Sequence, residues 1–374
     1  MLDLLKKDYL NFLYVFFLGT ISAYSLPPYN YFVINFISFP LFFIFLFNEN
    51  KKISKSLSFF KYGWSFGFGY FICSLYWIVI SLTFDETFKF LIPIVIILLP
   101  AFLALFYGLI AYFFSIFYIK KIISSFLLFS VLFGLIEFIR GSILTGFPWN
   151  LIAFSFSDSI YFIQILSVIG TYSFNLICIS IFTAPALFLL KQSKKEIVVC
   201  LFFILISFGF LSFGYLKNKE FHSSLSVKND YNIRIISSNI SLDRFYSKKN
   251  ELKLINELIE ISAPEKKTPT IFLWPEGIIP ESYLDEMSVY KELFLNNFGN
   301  DDLIIMGLNS IEKNDDKNFI FNSMGIFNNK LELYQSYNKV NLVPFGEFVP
   351  FEDVLSLIGF KTITSQYHSY SSGN

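Results

Sequence analysis

Seven apolar stretches fill the first 216 residues, at roughly 9–25, 29–47, 58–81, 89–118, 122–139, 160–190 and 197–215. A helix needs about 20 apolar residues to cross the hydrocarbon core of a bilayer. Within that core every backbone N–H and C=O must be satisfied inside the segment, so runs of this kind fold as helices. Residues 1–216 are therefore expected to form a transmembrane domain of about seven helices. Lys6 and Lys7 precede the first stretch, but "SLPPYN" follows it and leads straight into the second. The first stretch is read as a retained helix and not as a cleaved signal.

Charge divides the chain at the same place. Residues 1–216 hold 13 Lys/Arg and 8 Asp/Glu, whereas residues 217–374 hold 16 and 21. The second segment has the composition of a mildly acidic soluble domain. Zero net charge gives no sign of nucleic-acid binding. Cys73, Cys178 and Cys200 all fall inside apolar runs. They read as small core hydrophobes, with neither zinc spacing nor a disulfide framework.

The connecting loops set an orientation. Lys6, Lys7, Lys51, Lys52, Lys55, Lys61, Lys120, Lys121, Lys191, Lys194 and Lys195 all fall on one side of a seven-span arrangement. Only Lys89 and Arg140 fall on the other. Basic residues accumulate on the cytoplasmic face. The amino terminus is thus expected inside, and residues 217–374 outside. One outer loop stands apart: "EFIRGSILTGFPWN" (137–150) places Glu137 and Arg140 at the end of the fifth stretch, followed by Trp149. Two readings stay open. One is a helix-end ion pair with an interfacial Trp anchor. The other is a loop whose Arg140 and Trp149 contact lipid or substrate, because an ionisable residue at membrane depth is by default a functional hypothesis.

From residue 231 the periodicity changes. "NIRIIS" (232–237), "TIFLW" (270–274), "LIIMGL" (303–308) and "FNSMGIF" (321–327) have strand length, with "KLELYQ" (330–335) a more polar fifth. "ELKLINELIEIS" (251–262) and "LDEMSVYKELFLNN" (284–297) read as amphipathic helices, and "NNK" (328–330) as a turn. The alternation predicts an α/β layer whose later strands pair as a hairpin or meander.

Three residues in this segment carry chemistry. In "IFLWPEG" a strand ends, proline stops the ladder, and Glu276 emerges where open α/β sheets build sites. Trp274 and Pro275 are expected to wall off the carboxylate, and desolvation of that kind favours a general base. The competing reading is a solvated loop carboxylate. In "YNKVNLVPFGEFVPF" (337–351) Lys339 and Glu347 stand eight residues apart in a loop stiffened by Pro344, Gly346 and Pro350. Lys339 is either a surface lysine paired for structure or a cation fixed beside a developing oxyanion.

"LWPEG", "YNKVNLVPFGEFVPF" and the upstream "SSNISLDRF" resemble the nitrilase-like carbon–nitrogen hydrolase superfamily, and more narrowly bacterial apolipoprotein N-acyltransferases. "EFIRGSILTGFPWNLIAFSF" is similar to that family's outer loop before its sixth span. The resemblance implies a polytopic α-helical membrane domain (1–216) followed by an incomplete α/β domain (217–374). The latter would be part of a nitrilase-like αββα sandwich on the extracytoplasmic face of the bacterial inner membrane. It implies a multi-pass monomer whose partners are a phospholipid acyl donor and a diacylated apolipoprotein acceptor, with no cofactor and no metal. The acyl group would pass through a thioester to the α-amine of the lipidated cysteine. Glu276 would be the base, Lys339 the oxyanion cation and Glu347 the second acid. Trp274 and Phe345 would touch substrate or lipid.

The sequence departs from this pattern at the nucleophile. No cysteine follows Cys200, and the family's catalytic cysteine lies a few tens of residues beyond the position of Glu347. The chain is accordingly expected to be truncated and inactive alone. It would then lack its carboxyl part and a final span, and "VLSLIGF" (354–360) would either be exposed apolar surface or an interfacial segment that dips into the membrane. A non-catalytic nitrilase-like protein that binds lipid or lipoprotein is the alternative. A serine hydrolase is disfavoured, because Ser323, Ser336 and Ser365 lack a G-x-S-x-G elbow. A transporter is disfavoured because its spans would carry ionisable residues or broken helices, which these spans lack apart from Glu137, Arg140 and some glycines.

Overall fold

A computed structural model describes residues 2–50, 56–83, 86–143, 146–224, 230–239, 251–279, 282–314, 317–344, 346–349 and 369–374. The chain divides into two compact units, Met1–Ser226 and Val227–Asn374. "VLSLIGF" (354–360), Phe345, Ser365 and His368 lie outside the described residues.

The first unit is helical. Its elements are α1 (Leu2–Ala23), α2 (Asn35–Asn50), α3 (Ser56–Ser74), α4 (Ile92–Ile116), α5 (Ile122–Arg140), α6 (Ile160–Ile163), α7 (Leu166–Thr183), α8 (Pro185–Leu189) and α9 (Lys194–Ser224). Among the described residues five helices are long and apolar enough to cross a membrane, or six if α3 and the bent 3₁₀ segment Tyr76–Thr83 count as one span. In α1 the apolar part is the shorter Tyr9–Ala23. The interior is phenylalanine-rich. Phe39 packs on Phe66 and Phe133, and Phe42 stacks on Phe66 with centroids 4.2 Å apart. Where α3 meets α4 the backbones touch: a Cβ at Gly63 would stand 2.2 Å from the Tyr107 carbonyl oxygen. Without a hydrophobic drive between helices in lipid, such close approach supplies the packing.

One apolar stretch is broken, at one of its glycines. Stretch 160–190 folds as three pieces. Gly170, at φ 73 and ψ 169, adopts a conformation only glycine reaches easily, and Pro185 begins a new short helix. Gly170 is exposed, and a Cβ there would meet nothing within 4 Å.

The second unit is one five-stranded sheet in the order β1-β2-β3-β4-β5. The strands are β1 (Asn232–Ile235), β2 (Thr270–Leu273), β3 (Leu303–Asn314), β4 (Lys317–Asn328) and β5 (Leu333–Asn338). β1 and β3 flank β2 in parallel, while β3, β4 and β5 form an antiparallel meander. α10 (Glu251–Ser262) buries Ile255, Leu258 and Ile259, the stripe its 3.6-residue period sets out. The second expected helix splits at Tyr290 into a 3₁₀ segment, Leu284–Tyr290, and α11 (Lys291–Asn297). Ser288, Val289 and Tyr290 are weak helix formers at that joint.

The core lies on one face of the sheet, where Phe272, Trp274, Ile304, Met306 and Leu308 meet Phe294 and Phe298. Among the described residues the other face is uncovered. Ile233 and Ile235 on β1 are 68% and 77% exposed, and the aligned Ile271, Leu273, Leu303, Ile305 and Ile326 are half-buried.

The α3–α4 contact generates a prediction. Gly63→Leu forces two backbones apart, and overpacking of this kind costs about 1–3 kcal/mol. The substitution is expected to lower the denaturation midpoint in mild detergent, whereas Leu57→Ala on the exposed side of α3 leaves it unchanged.

Candidate active site

The carboxyl end of β2 sets the first element. Trp274 N–H donates to the Ile305 carbonyl at 2.8 Å, extending the ladder by one residue. Pro275 has no N–H to continue it, and Gly277 turns the chain at φ 58. Glu276 is thereby lifted off the sheet. Gly307 on β3 lets this turn lie close, since a Cβ there would stand 2.8 Å from Glu276 Cα.

Trp274 does not wall off Glu276 as expected. Its side chain turns into the core and its indole N–H donates to Ser262 Oγ at 2.9 Å. Strand alternation sends Trp274 to the helix-covered face. The Glu276 side chain is 65% exposed.

The second element comes from the meander. Lys339 directly follows β5, and its backbone N–H donates to the Asn322 carbonyl of β4 at 2.9 Å. Its ammonium reaches Glu347 Oε1 at 3.0 Å and Glu276 Oε1 at 3.3 Å. Glu347 is tied down more firmly. Its Oε2 accepts from Val343 N–H at 2.7 Å, and its own N–H donates to the Val343 carbonyl at 2.8 Å. Glu276, Lys339 and Glu347 thus meet in one place within this unit.

Asn322 completes the group, and the sequence analysis missed it. Its Nδ2 donates to Glu276 Oε1 at 2.7 Å and to Glu347 Oε1 at 2.6 Å. Carboxylates only accept, so the amide must present its nitrogen to both. The available signal was an Asn-Ser pair inside the apolar run "FNSMGIF". Residues 369–374 were missed as well. Tyr370 N–H donates to the Glu347 carbonyl at 2.8 Å, and Gly373 N–H to the Lys339 carbonyl at 2.9 Å.

Burial pushes Lys339 down, but the hydrogen bond to Glu347 and the charges of both carboxylates outweigh it. The ammonium ends above its ordinary range. Burial likewise pushes Glu347 up, and the Val343 N–H, the Asn322 amide and Lys339 outweigh it, so the carboxyl ends below its ordinary range. Both stay charged at neutral pH. Among the described residues no hydrogen bond engages Glu276 Oε2, which leaves an exposed carboxylate oxygen beside a fixed cation. No cluster of three or more His, Cys, Asp or Glu suited to a metal occurs among the described residues.

Arg140 and Trp149 belong to the other unit. Arg140 is buried; its guanidinium contacts Glu137 Oε2 at 2.5 Å and donates to the Phe147 and Trp149 carbonyls at 2.7 and 3.0 Å. It thereby pins the loop that presents Trp149, which is exposed and stacks on Trp77 with centroids 5.2 Å apart. Phe345 lies outside the described residues.

Two predictions follow from the clamp. Glu347 has a depressed folded-state pKa, so its contribution to stability is present above about pH 4.3 and lost as pH falls through the lower folded value. Thermal unfolding followed from pH 7 downward should show this acid loss, and Glu347→Gln should remove that part of the pH dependence. Lys339 has the opposite sign. Its contribution is present below about pH 10.4 and lost as pH rises through the higher folded value. Asn322→Ala strips a donor from a nearly buried carboxylate, and hydrogen bonds to charged groups contribute about 1.5–3 kcal/mol. That variant should unfold earlier at neutral pH, with its deficit shrinking as Glu347 protonates.

The sequence model of the apolipoprotein N-acyltransferase N-terminal domain matches residues 18–184. The chain is similar to proteins named apolipoprotein N-acyltransferase along nearly its whole length. The relative from Rhizobium etli (strain CIAT 652) is 29% identical over 92% of this chain and 67% of its own length. That from Brucella melitensis biotype 1 is 28% identical over 96% of this chain and 69% of its own length. That from Agrobacterium fabrum (strain C58) is 27% identical over 95% and 68%. These matches run through the membrane helices and on across the sheet that assembles Glu276, Lys339 and Glu347, and along both the chain is similar to apolipoprotein N-acyltransferases.

Proposed function

We propose that this chain carries the general base and the oxyanion cation of a phospholipid:apolipoprotein N-acyltransferase. The acyl group moves from a membrane phospholipid through a thioester to the α-amine of a diacylglyceryl-cysteine. The convergence of Glu276 and Glu347 on one ammonium, Lys339, carries the proposal. Glu276 takes the proton from the attacking thiol and returns it to the departing lysophospholipid oxygen; in the second half it takes a proton from the attacking amine and returns it to the thiolate that leaves the thioester. Lys339 faces the tetrahedral oxyanion. Asn322 and Glu347 hold Lys339 charged and aimed, so that stabilisation requires no reorganisation as charge develops. A thioester is more reactive toward an amine than the parent ester, which makes two easier steps from one hard one.

The thiol is the part that residues 227–374 do not supply, as they contain no cysteine. In this proposal the chain by itself binds but does not turn over. The membrane helices keep donor and acceptor in the bilayer. Burial is worth about 0.8 kcal/mol per CH₂, so drawing an acyl chain into water costs on the order of 10 kcal/mol. The seven apolar stretches and the lysine-rich loops on one side of them support a sheet outside the cytoplasmic membrane.

The test fuses to this chain the part of the Rhizobium etli relative that the match leaves uncovered. This hybrid is expected to transfer a labelled acyl chain to a diacylated lipopeptide. Glu276→Gln or Lys339→Ala in the hybrid should lower the rate at least 100-fold, the scale of one lost transition-state contact. Transfer by the unextended chain, or full activity of the Glu276→Gln hybrid, overturns these roles. Lipopeptide binding with no transfer in any hybrid favours a non-catalytic binder. For orientation, a cysteine at Asp230 should react with an impermeant maleimide on intact cells. Labelling only after lysis places the sheet on the opposite side.

A further inference from the structure

Below the middle of α9 lies a half-open groove of about 330 Å³, bounded by α2, the α7–α8 joint and α9. Ala184 and Cys200 are buried in its floor, while Phe208 and Ile204 are exposed at its rim. Its volume is roughly ten times the ~30 Å³ share of a liquid water molecule. Water does not suit it, because a buried water needs two to four polar partners. Ser207 supplies the one side-chain hydroxyl of the lining, and that hydroxyl already donates to the Phe203 carbonyl of its own helix at 3.1 Å. No charged side chain lines it, so no headgroup or peptide charge is matched there.

The groove also sits where α9 is loosely seated. Of the 31 residues of α9 only Glu196, Cys200, Phe203 and Gly214 are buried, and the groove occupies the interval between the last two. Gly214 lies against the Tyr161 backbone, so the far contact is close and the middle stands off. The exposed rim runs without interruption into the lipid-facing side of α9, at Leu201, Phe202, Leu205 and Leu211.

We propose that this groove is a slot for one acyl chain of a membrane glycerolipid, which completes the seat of α9. The occupant is hydrocarbon because the lining is apolar and uncharged. It is a lipid chain because the slot is continuous with a surface that already faces bilayer. Small residues at the floor and rings at the rim give it the section of a chain. The proposal rests on the membrane-spanning reading and is independent of the acyltransferase chemistry, so either can fail alone.

The test uses the full chain in vesicles of phosphatidylethanolamine and phosphatidylglycerol containing a phosphatidylglycerol with a photoactivatable diazirine in its acyl chain. Phe208 and Leu205 are almost equally exposed, at 62% and 66%, but only Phe208 lines the groove. Peptide mapping should show severalfold more labelling at Ser207–Phe208 and Cys200 than at Leu205, saturating as the probe fraction rises. Ala184→Phe and Ser207→Phe each plug the slot and should remove the excess. Labelling that follows exposure alone, without saturation, means ordinary annular lipid and overturns the proposal, and this comparison needs only the wild-type chain. An unlabelled groove with Cys200 crosslinking between copies means a second chain fills it, which also overturns it.

Discussion

One ammonium shared by two carboxylates organises the sheet unit. Lys339 arrives at the end of β5, Glu276 at the end of β2, and Glu347 from a turn closed by its own backbone. No two of these are neighbours in sequence. The sheet brings them together because β3 lies between β2 and β4, and Gly307 on β3 leaves room for the Glu276 turn. The group is unequal in exposure. Glu347 is nearly buried and fully bonded, whereas Glu276 faces outward with one oxygen uncommitted among the described residues. A rigid acid behind a cation and a free acid before it divide holding from reacting.

Much of this was legible beforehand, and the limits have physical causes. α10 was readable to the residue because Leu252, Ile255, Leu258 and Ile259 repeat at helical spacing. β3 and β4 run longer than their apolar runs, because the ladder between them continues past these runs to the pair Asn314 and Lys317. The pair Lys339–Glu347 was visible as charge in a rigid aromatic loop. Asn322 was not, because an amide inside a strand looks like an imperfection until its partners are known. Trp274 misled for a related reason. Adjacency to Glu276 suggested contact, but Trp274 keeps to the core face with Phe272, and the turn at Pro275–Gly277 carries Glu276 away from it. The break at Gly170 was equally hidden, since composition reports apolar length and not the φ of one glycine.

The membrane unit solves a different problem. Hydrocarbon solvent gives no premium for burying one apolar side chain against another, so packing must come from fit. Rings of phenylalanine, and glycine at the α3–α4 crossing, supply that fit. Arg140 is the exception to the apolar interior. It is buried with Glu137, under Phe71, and two of its bonds go to carbonyls of the following loop. A buried pair contributes little net stability, so its use here is to fix the shape of that loop.

The strap formed by residues 370–373 has an effect beyond its own length. Because Tyr370 and Gly373 hold the main chain of Glu347 and Lys339, the aim of both side chains is set by a passage more than twenty residues downstream of Glu347. A proteolytic nick or a helix-favouring substitution near Ser372 would therefore act as a remote mistuning of the ammonium and the acid whose main chain the strap holds.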